Sequence, residues 1–319
     1  PKIIPDLVWD KSLPFPLNNT WGYHDAATGN GRWDLYYKEM IRRYGEPSGM
    51  EDFCNLMQLM NAIGYQGIFE AAGHKLNDIG GVMLWKLNAA FPSVVWQVYD
   101  WYLMPNAGYY FMQNACEPVH IQLNLSNRKV MVINRSYKKV SGLKAVADVY
   151  NSDSKSIFHE VVDLTLGPTG LKETSSLEQV LKEARGISFV VLNLRNSEGK
   201  TISHNVYWLS PDNDYKTLEG MKSTSLYAAV TSEINTKADN SWTIQVSNNT
   251  DRIAFFIRPQ VIANGEEILP SFWSQGYFTL APGESTKVTV TCPAAELKGK
   301  SPVLKISGWN VSPVEVSLP

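Results

Sequence analysis

Cysteine, histidine and clustered positive charge are all scarce in this chain. Its 319 residues include three cysteines and five histidines, with 29 basic against 31 acidic residues and a net charge of −2. Cys54, Cys116 and Cys292 lie too far apart in sequence for the paired spacing of a zinc site or redox centre, so we expect buried free thiols. Because no stretch of lysine and arginine could follow a phosphate backbone, we expect no nucleic acid partner.

Patterns of membrane insertion and of several enzyme classes are also missing. No run of roughly 18 or more apolar residues could span a bilayer, and no leader opens the sequence, so we predict a soluble chain with any export signal outside it. No serine stands in a Gly-x-Ser-x-Gly turn. The histidines lack metal-ligand spacing, and three are expected on strand surfaces or in hydrogen bonds: His120, His159 and His204. We predict neither a metal nor a cofactor.

What the sequence does contain is a concentrated aromatic segment, Gly80 to Tyr102. Val82 to Leu87 is apolar without polar alternation, which predicts a strand buried on both faces. The loop after it brings together rings and polar groups: Trp85, Asn88, Phe91, Trp96, Tyr99, Asp100, Trp101 and Tyr102. Flat aromatic faces beside hydrogen-bonding groups are typical of carbohydrate sites, because a sugar ring packs its C–H faces on them.

Helical spacing surrounds this segment. Apolar residues predict a helix from Trp33 to Tyr44 and a long helix from Phe53 to Ala71, the latter opened by a Ser48–Glu51 capping box. Two glycines inside the long helix, Gly64 and Gly67, predict close approach of a neighbouring element. A short helix is predicted for about 107–117. Helix, buried strand, loop and helix in succession is the rhythm of a β/α barrel.

The remainder predicts two antiparallel β-sandwiches in tandem. Short alternating segments separated by turn residues form a first series: Val119 to Leu125, Lys129 to Asn134, Leu143 to Tyr150, Ser156 to Asp163, Ser188 to Leu194 and Asn205 to Leu209. A second series follows: Leu226 to Ile234, Trp242 to Ser247, Ala254 to Val261, Tyr277 to Leu280, Ser285 to Thr291 and Val303 to Ser307. The segment from Leu177 to Ala184 fits either a short helix or an irregular crossover.

A catalytic carboxylate pair does not stand out. Glycosidic bonds are normally hydrolysed by two carboxyl groups about 5 to 9.5 Å apart. Glu70 lies within the long helix and Glu117 at the start of the first sandwich, so neither follows a buried strand. His24 and Asp25 are adjacent and would point in opposite directions on an extended segment, which disfavours a dyad. The residues alone therefore indicate no complete catalytic apparatus.

Longer matches carry a family resemblance. Gly81 to Leu103, continuing through Tyr110-Phe111 to Ala115–Gln122, resembles the last barrel strand and the entry to the fourth domain of glycoside hydrolase family 2. More narrowly, it is similar to the branch of exo-β-glucosaminidases and mannosylglycoprotein endo-β-mannosidases. Upstream motifs are similar to the segment after the seventh barrel strand in that branch: Trp21 to Asp25, Gly29 to Gly31 and Arg43 to Gly45.

This resemblance implies a multidomain α/β plus all-β chain, the C-terminal fragment of a (β/α)8 barrel followed by two immunoglobulin-like β-sandwiches. The implied domains are 1–116, the last barrel units, then 117–212 and 213–319, the two sandwiches. Family members carry an acid/base Glu after the fourth strand and a nucleophile Glu at the end of the seventh. No residue here matches either, so no catalytic residue is assigned and the chain itself is expected to be inactive.

Substrate contacts are the site residues that the resemblance implies. Trp85 matches the tryptophan that lines the sugar subsite in the family, and Asn88 matches a polar position of the same strand end. Lower-ranked rim candidates are His24, Asp25, Trp96 and Asp100. Simple core packing remains the alternative for Trp85 and the preferred interpretation for Trp96.

The implied function is the C-terminal portion of a retaining glycosidase of β-mannosidase or exo-β-glucosaminidase type. Its expected partners are a glycan or oligosaccharide substrate and the missing N-terminal part of the same polypeptide, in a periplasmic or secreted bacterial protein. Two alternatives stay open. The chain could be a non-catalytic carbohydrate-binding or spacer module, or its aromatic loop could serve only as an interface with the rest of the barrel.

Overall fold

The computed structural model describes residues 33–94 and 97–319. These residues form two compact units. The first contains the described part of Pro1–Leu87 together with Pro92–Val98 and Asn106–Gly220. The second contains Met221–Pro319 and two short pieces of the aromatic segment, Asn88–Phe91 and Tyr99–Pro105. Among the described residues, no helix is both long enough and apolar enough to cross a membrane.

Three helices open the first unit: α1 (Trp33–Tyr44), α2 (Met50–His74) and α3 (Ala107–Ala115). Their predicted positions are confirmed within a few residues, because helical spacing of apolar side chains is a strong signal. The buried side of α2 repeats at three and four residues: Phe53, Leu56, Leu59, Ala62, Gln66, Glu70 and Gly73. Two polar residues therefore occupy positions that the helical period assigns to the core.

Details inside and before α2 differ from the prediction. The predicted Ser48–Glu51 capping box is wrong: Ser48 donates from its backbone N and its Oγ to Asp52 Oδ2, at 2.8 and 3.0 Å. One turn of helix places the carboxylate at position 52 where it can reach back to both donors of Ser48, so the shorter acid one residue later takes the part expected of Glu51.

The predicted close approach at Gly64 and Gly67 is also wrong. Among the described residues, no atom comes within 4 Å of a Cβ placed at either position. Close approach occurs instead at Gly108, where a Cβ would lie 2.3 Å from Cδ2 of Tyr65, and at Gly73, where it would lie 2.8 Å from a side chain of the first sandwich. Glycine alone marks where approach is permitted, and the neighbours decide where it happens.

The first sandwich follows α3 and has seven strands: β1 (Val119–Leu123), β2 (Lys129–Asn134), β3 (Val140–Asn151), β4 (Ser156–Leu166), β5 (Gly170–Ser176), β6 (Ser188–Arg195) and β7 (Thr201–Leu209). They form two antiparallel sheets with strand orders β4-β3-β6-β7 and β1-β2-β5. Leu177 to Ala184, left open above, contains the short helix α4 (Glu178–Glu183), and a 3-10 turn (Lys216–Gly220) ends the unit. Inward-facing residues of both sheets form one core that includes Ile121, Leu123, Val132, Val149, Val190 and Leu192.

The second sandwich occupies the second unit. Its strands are β8 (Tyr227–Asn235), β9 (Asp239–Ser247), β10 (Ala254–Ala263), β11 (Glu266–Glu267), β12 (Phe272–Trp273), β13 (Phe278–Leu280), β14 (Ser285–Pro293), β15 (Val303–Ser307) and β16 (Val314–Ser317), with a short helix α5 (Ala294–Leu297) after β14. One sheet has the order β12-β14-β9-β8, and the other has β11-β10-β15-β16 with β13 paired to β10. Both predicted series of strands are confirmed, because short apolar or alternating segments stand between clear turn signals.

Two other predictions need correction. Val82 to Leu87 forms no strand in the structure, and every second side chain along it is exposed. An apolar run is buried only when neighbouring strands cover it, and among the described residues this run has one backbone hydrogen bond to a neighbouring segment, from Val98 N to the carbonyl of Leu87 at 3.1 Å, but lies in no sheet. The structure thus confirms the sandwiches but not the barrel fragment. The cysteines are free as expected, but Cys116 is exposed, because it is the C-cap of α3.

Candidate functional site

The part of the aromatic segment that belongs to the first unit presents an exposed apolar row. Met83, Trp85 and Leu87 are 98%, 76% and 56% exposed, whereas Val82, Leu84 and Lys86 are half-buried. Exposed and half-buried residues thus alternate along this run. The indole of Trp85 is therefore an open flat surface, the kind on which a sugar ring can stack.

Asn88 and Asp100, two other predicted site residues, lie together in the second unit. A parallel bridge joins Asn88 to Tyr99, the residue before Asp100. Asn88 is exposed, and its Nδ2 makes only a long contact of 3.4 Å to the carbonyl of Ala89. Its side-chain amide is thus available to a hydroxyl group. Trp101 and Phe91 add exposed rings in the same unit.

Asp100 has a different geometry, that of a turn residue. Its Oδ1 accepts hydrogen bonds from the backbone N of Tyr102 at 2.8 Å and of Met104 at 2.9 Å. Its Oδ2 is buried, and among the described residues no donor reaches it. Burial raises the pKa of the Asp100 carboxyl, opposed by these two backbone bonds and assisted by the charge of Glu267. This carboxylate shapes the turn from within.

The remaining predicted site residues, His24, Asp25 and Trp96, lie outside the described residues. Within the described part of the chain, no group of three or more histidine, cysteine, aspartate or glutamate side chains could hold a metal ion. In the first unit Trp85 offers a ring for stacking, and in the second unit Asn88 offers an amide for hydrogen bonding. Neither side chain offers a nucleophile.

A buried polar cluster that sequence reasoning missed lies in the first unit, between α2 and the first sandwich. Glu70 on α2 accepts from Asn205 Nδ2 at 2.6 Å through Oε1 and from the Tyr207 hydroxyl at 2.7 Å through Oε2. One turn earlier, Gln66 Nε2 donates to Asn205 Oδ1 at 2.8 Å. The Tyr207 hydroxyl in turn accepts from the backbone N of Leu123 at 2.8 Å. Helix and sheet are therefore joined by directional contacts in place of apolar packing.

His120 lies at the centre of this cluster between two acids. Its Nδ1 is 3.0 Å from Glu117 Oε2 and its Nε2 is 3.6 Å from Glu70 Oε1. The hydroxyl of Ser203 also donates to Glu117 Oε2 and lies 3.2 Å from His120 Nδ1. His120 is hydrogen-bonded, as expected, but fully buried. The two acids that the sequence placed in mid-helix and at a sandwich start meet here.

Electrostatics in the cluster follow from burial and from the two carboxylates. Burial lowers the pKa of His120, but the hydrogen bonds and charges of Glu117 and Glu70 outweigh it, so the pKa is raised. Burial, with the charge of Glu70, raises the pKa of Tyr207 well above its ordinary value. The cluster thus holds a neutral phenol and favours a cationic imidazole. Glu70, His120 and Tyr207 are buried, whereas the side chain of Glu117 is 27% exposed, so the main role of these hydrogen bonds is to join α2 to the sheet.

Comparison with known proteins identifies relatives of both sandwiches. Residues 205–311 match the family described as the exo-β-D-glucosaminidase immunoglobulin-fold domain. The exo-β-D-glucosaminidase of Amycolatopsis orientalis is 30% identical over 319 aligned positions, covering 90% of this chain and 31% of that protein. The mannosylglycoprotein endo-β-mannosidase of Lilium longiflorum is 26% identical over a match covering 95% of this chain and 38% of that protein. The crystal structure of the exo-chitosanase of A. orientalis has a TM-score of 0.83 at 28% identity, covering 90% of this chain and 37% of that one.

Immunoglobulin-like sandwiches, an aromatic segment and these matches together define a glycosidase-related protein. These matches confirm the resemblance to the C-terminal part of glycoside hydrolase family 2 enzymes, in the branch of exo-β-D-glucosaminidases and mannosylglycoprotein endo-β-mannosidases. It spans about a third of the length of the curated relatives it matches.

Proposed function

We propose that this chain is the C-terminal portion of a retaining, exo-acting glycosidase that removes β-linked glucosaminyl or mannosyl units. In such a reaction one carboxylate attacks the anomeric carbon and a second carboxyl protonates the leaving oxygen. Both groups would lie upstream of this chain, so the chain alone would bind and brace without hydrolysing. The similarity to exo-β-D-glucosaminidases over nine-tenths of the chain supports the reaction class.

Exposure of Trp85 is the observation that carries the proposed role of the aromatic segment. In a closed barrel each strand has a neighbour on either side, and its residues alternate between inside and outside. Val82 to Leu87 keeps this alternation, with Met83, Trp85 and Leu87 open, although it has no partner strand among the described residues. This pattern is expected of a last barrel strand considered apart from its neighbours. Trp85 would then form the platform of the sugar subsite, and Asn88 would bind a ring hydroxyl.

Hydrolysis assays on two forms of the protein test this proposal. The full-length gene product and the chain alone would be given p-nitrophenyl β-glucosaminide and p-nitrophenyl β-mannoside. We expect release of p-nitrophenol by the full-length protein only. Activity of the chain alone, or inactivity of both forms on both substrates, would contradict the proposal. Fractionation of the source cells would test the accompanying expectation of a periplasmic or secreted protein.

A binding module is the second candidate, favoured by the open rings of Trp85 and Trp101. Such a module needs aromatic platforms and polar groups but no catalytic acids. Isothermal titration of the isolated chain with glucosamine, mannose and their oligomers separates the two functions. Millimolar or tighter binding by the chain alone, together with an inactive full-length protein, would support a module. Absence of binding by the chain alone together with an active full-length enzyme would support the glycosidase.

We expect the exposed side chains of Met83 and Leu87 to contact the rest of the barrel. Apolar side chains so exposed promote association when left uncovered. Light scattering of the isolated chain is expected to reveal self-association that disappears in the full-length protein. A clean monomer in both forms would argue against this contact.

A further inference from the structure

The turn Tyr99–Pro105 has its shape fixed from within and carries an exposed tryptophan. An antiparallel bridge joins Tyr99 to Pro105, and the backbone N of Asp100 donates to the Met104 carbonyl at 3.1 Å. The Asp100 carboxylate holds the backbone N of two further turn residues, as described above. Trp101 projects from this frame and is 46% exposed. Any group that anchors the frame therefore also sets the position of the indole.

One side chain of the second sandwich reaches this turn. Arg258, on β10, places Nη2 3.0 Å from Sδ of Met104 and donates from the same nitrogen to Glu267 Oε2 at 2.7 Å. Gln260 Nε2 donates to that carboxylate oxygen as well, at 2.8 Å. The guanidinium carbon of Arg258 lies 6.0 Å from the ring centroid of Tyr277. The arginine is thus held on several sides while one nitrogen contacts the turn.

The chemistry of these contacts suits positioning. A guanidinium is planar and permanently charged, so its direction is set by the groups that hold it. Arg258 and Glu267 are largely buried, with side chains 23% and 16% exposed, so water screens their attraction little. Methionine sulfur is polarizable and adapts to a neighbouring cation more readily than a branched apolar side chain. The charged guanidinium of Arg258 on the sandwich thus contacts the polarizable sulfur of Met104 on the turn, 154 residues away in sequence.

We propose that Arg258 and Glu267 are positioning residues for the part of the sugar site that Asn88 and Trp101 provide in the second unit. Glu267 orients the guanidinium, Arg258 fixes Met104, and Met104 fixes the turn that presents Trp101. In this arrangement the second sandwich sets the geometry of an aromatic wall of the site, which goes beyond a spacer role. This inference rests on the proposed function, because it assumes that the turn borders bound sugar.

Amide hydrogen exchange and kinetics on the full-length protein test the inference together. Arg258→Gln removes the charge and shortens the side chain by two atoms, so the contact with Met104 is lost while a polar amide remains. We expect exchange at the amides of Leu103 and Met104 to accelerate about tenfold, and KM for the preferred p-nitrophenyl glycoside to rise about tenfold with little change in kcat. Arg252→Gln is the matched control, because Arg252 is in the same unit and its Nη1 donates only to the carbonyl of Ser223 among the contacts described for it. Neither readout should change in the control.

Each outcome separates the inference from the proposed function. Unchanged exchange at Leu103 and Met104 would overturn it, and so would faster exchange with an unchanged KM, which would leave Arg258 a merely structural role. An inactive wild-type protein would refute the proposed function, whereas an active enzyme insensitive to Arg258→Gln would refute this inference alone. Met104→Leu provides a second variant should Arg258→Gln unfold the sandwich. It replaces the sulfur with carbon in a branched side chain of the same number of heavy atoms, and unchanged exchange at the same amides would likewise overturn the inference.

Discussion

Removal of one hydroxyl group, by Tyr207→Phe, should strongly destabilise the first unit. That hydroxyl donates to Glu70 Oε2 at 2.7 Å and accepts from the backbone N of Leu123 at 2.8 Å, in a fully buried setting. The variant leaves three groups without this partner: the backbone N of Leu123, Nδ2 of Asn205 and Oε2 of Glu70. Each buried group deprived of its partner costs about 1–3 kcal/mol, and a charged group more. We therefore expect the free energy of unfolding to fall by about 2–5 kcal/mol.

Urea denaturation and hydrogen exchange at the Leu123 amide measure this effect. Tyr137→Phe is the matched control, since Tyr137 is 89% exposed in the same unit and its hydroxyl can bond to water. The control should change stability by less than about 0.5 kcal/mol. Should Tyr207→Phe lose as little as the control, or leave the Leu123 amide equally protected, the hydroxyl would not be the link between helix and sheet inferred from its contacts.

Three further predictions concern charge, binding and packing. Folding raises the pKa of His120, so the stabilising contribution of its imidazolium is complete below about pH 6.5 and is lost as the pH rises through the pKa of the folded state. His120→Gln should therefore reduce the fall in the free energy of unfolding over that pH range, which urea titration at successive pH values measures. Trp85→Ala should raise KM of the full-length enzyme about tenfold in steady-state assays and leave its melting temperature nearly unchanged. Gly108→Ala should destabilise by about 1–3 kcal/mol in urea, because the new methyl group would meet Tyr65, whereas Gly64→Ala, in open space among the described residues, should stabilise by about 0.5–1 kcal/mol.

Strand positions were predictable because the order of apolar and polar residues within a sandwich strand itself indicates which side chains face the core. In β9 (Asp239–Ser247), Trp242, Ile244 and Val246 are buried and alternate with less buried neighbours, as a period of two requires. Turn residues then separate such segments without reference to the rest of the chain. The same local logic located α1, α2 and α3, since a helical face also repeats within a few residues.

Burial of Val82 to Leu87 was not predictable in this way, because an apolar run does not say which strands will cover it. Its composition fits a covered strand, whereas Met83, Trp85 and Leu87 are exposed in the structure. The buried cluster was not predicted because its members lie far apart in sequence. Glu70 stands at a core position of α2, which is a usable signal, but the identity of its partners in β1 and β7 depends on tertiary contacts alone.

The predicted site residues also show which properties a sequence motif reveals and which depend on tertiary contacts. Trp85 and Asn88 were chosen from a motif, and the structure leaves both exposed, so their role in sugar binding stays a prediction. Asp100 was chosen from its place in the same motif, yet its carboxylate is committed to the backbone of its own turn. A sequence identifies a polar group near a site, but only coordinates indicate whether its hydrogen-bonding capacity is already used.

The buried cluster also bears on how the first sandwich functions. Separating α2 from the sheet would break the hydrogen bonds of Glu70 with Asn205 and Tyr207 and its 3.6 Å contact with His120. Helices and first sandwich should therefore unfold together, in accordance with their place in one compact unit. A spacer that separates freely from the helices would be joined to them by a solvated polar surface whose contacts could be lost at little cost in stability. The contacts of Glu70 thus argue that the first sandwich braces the helical region directly.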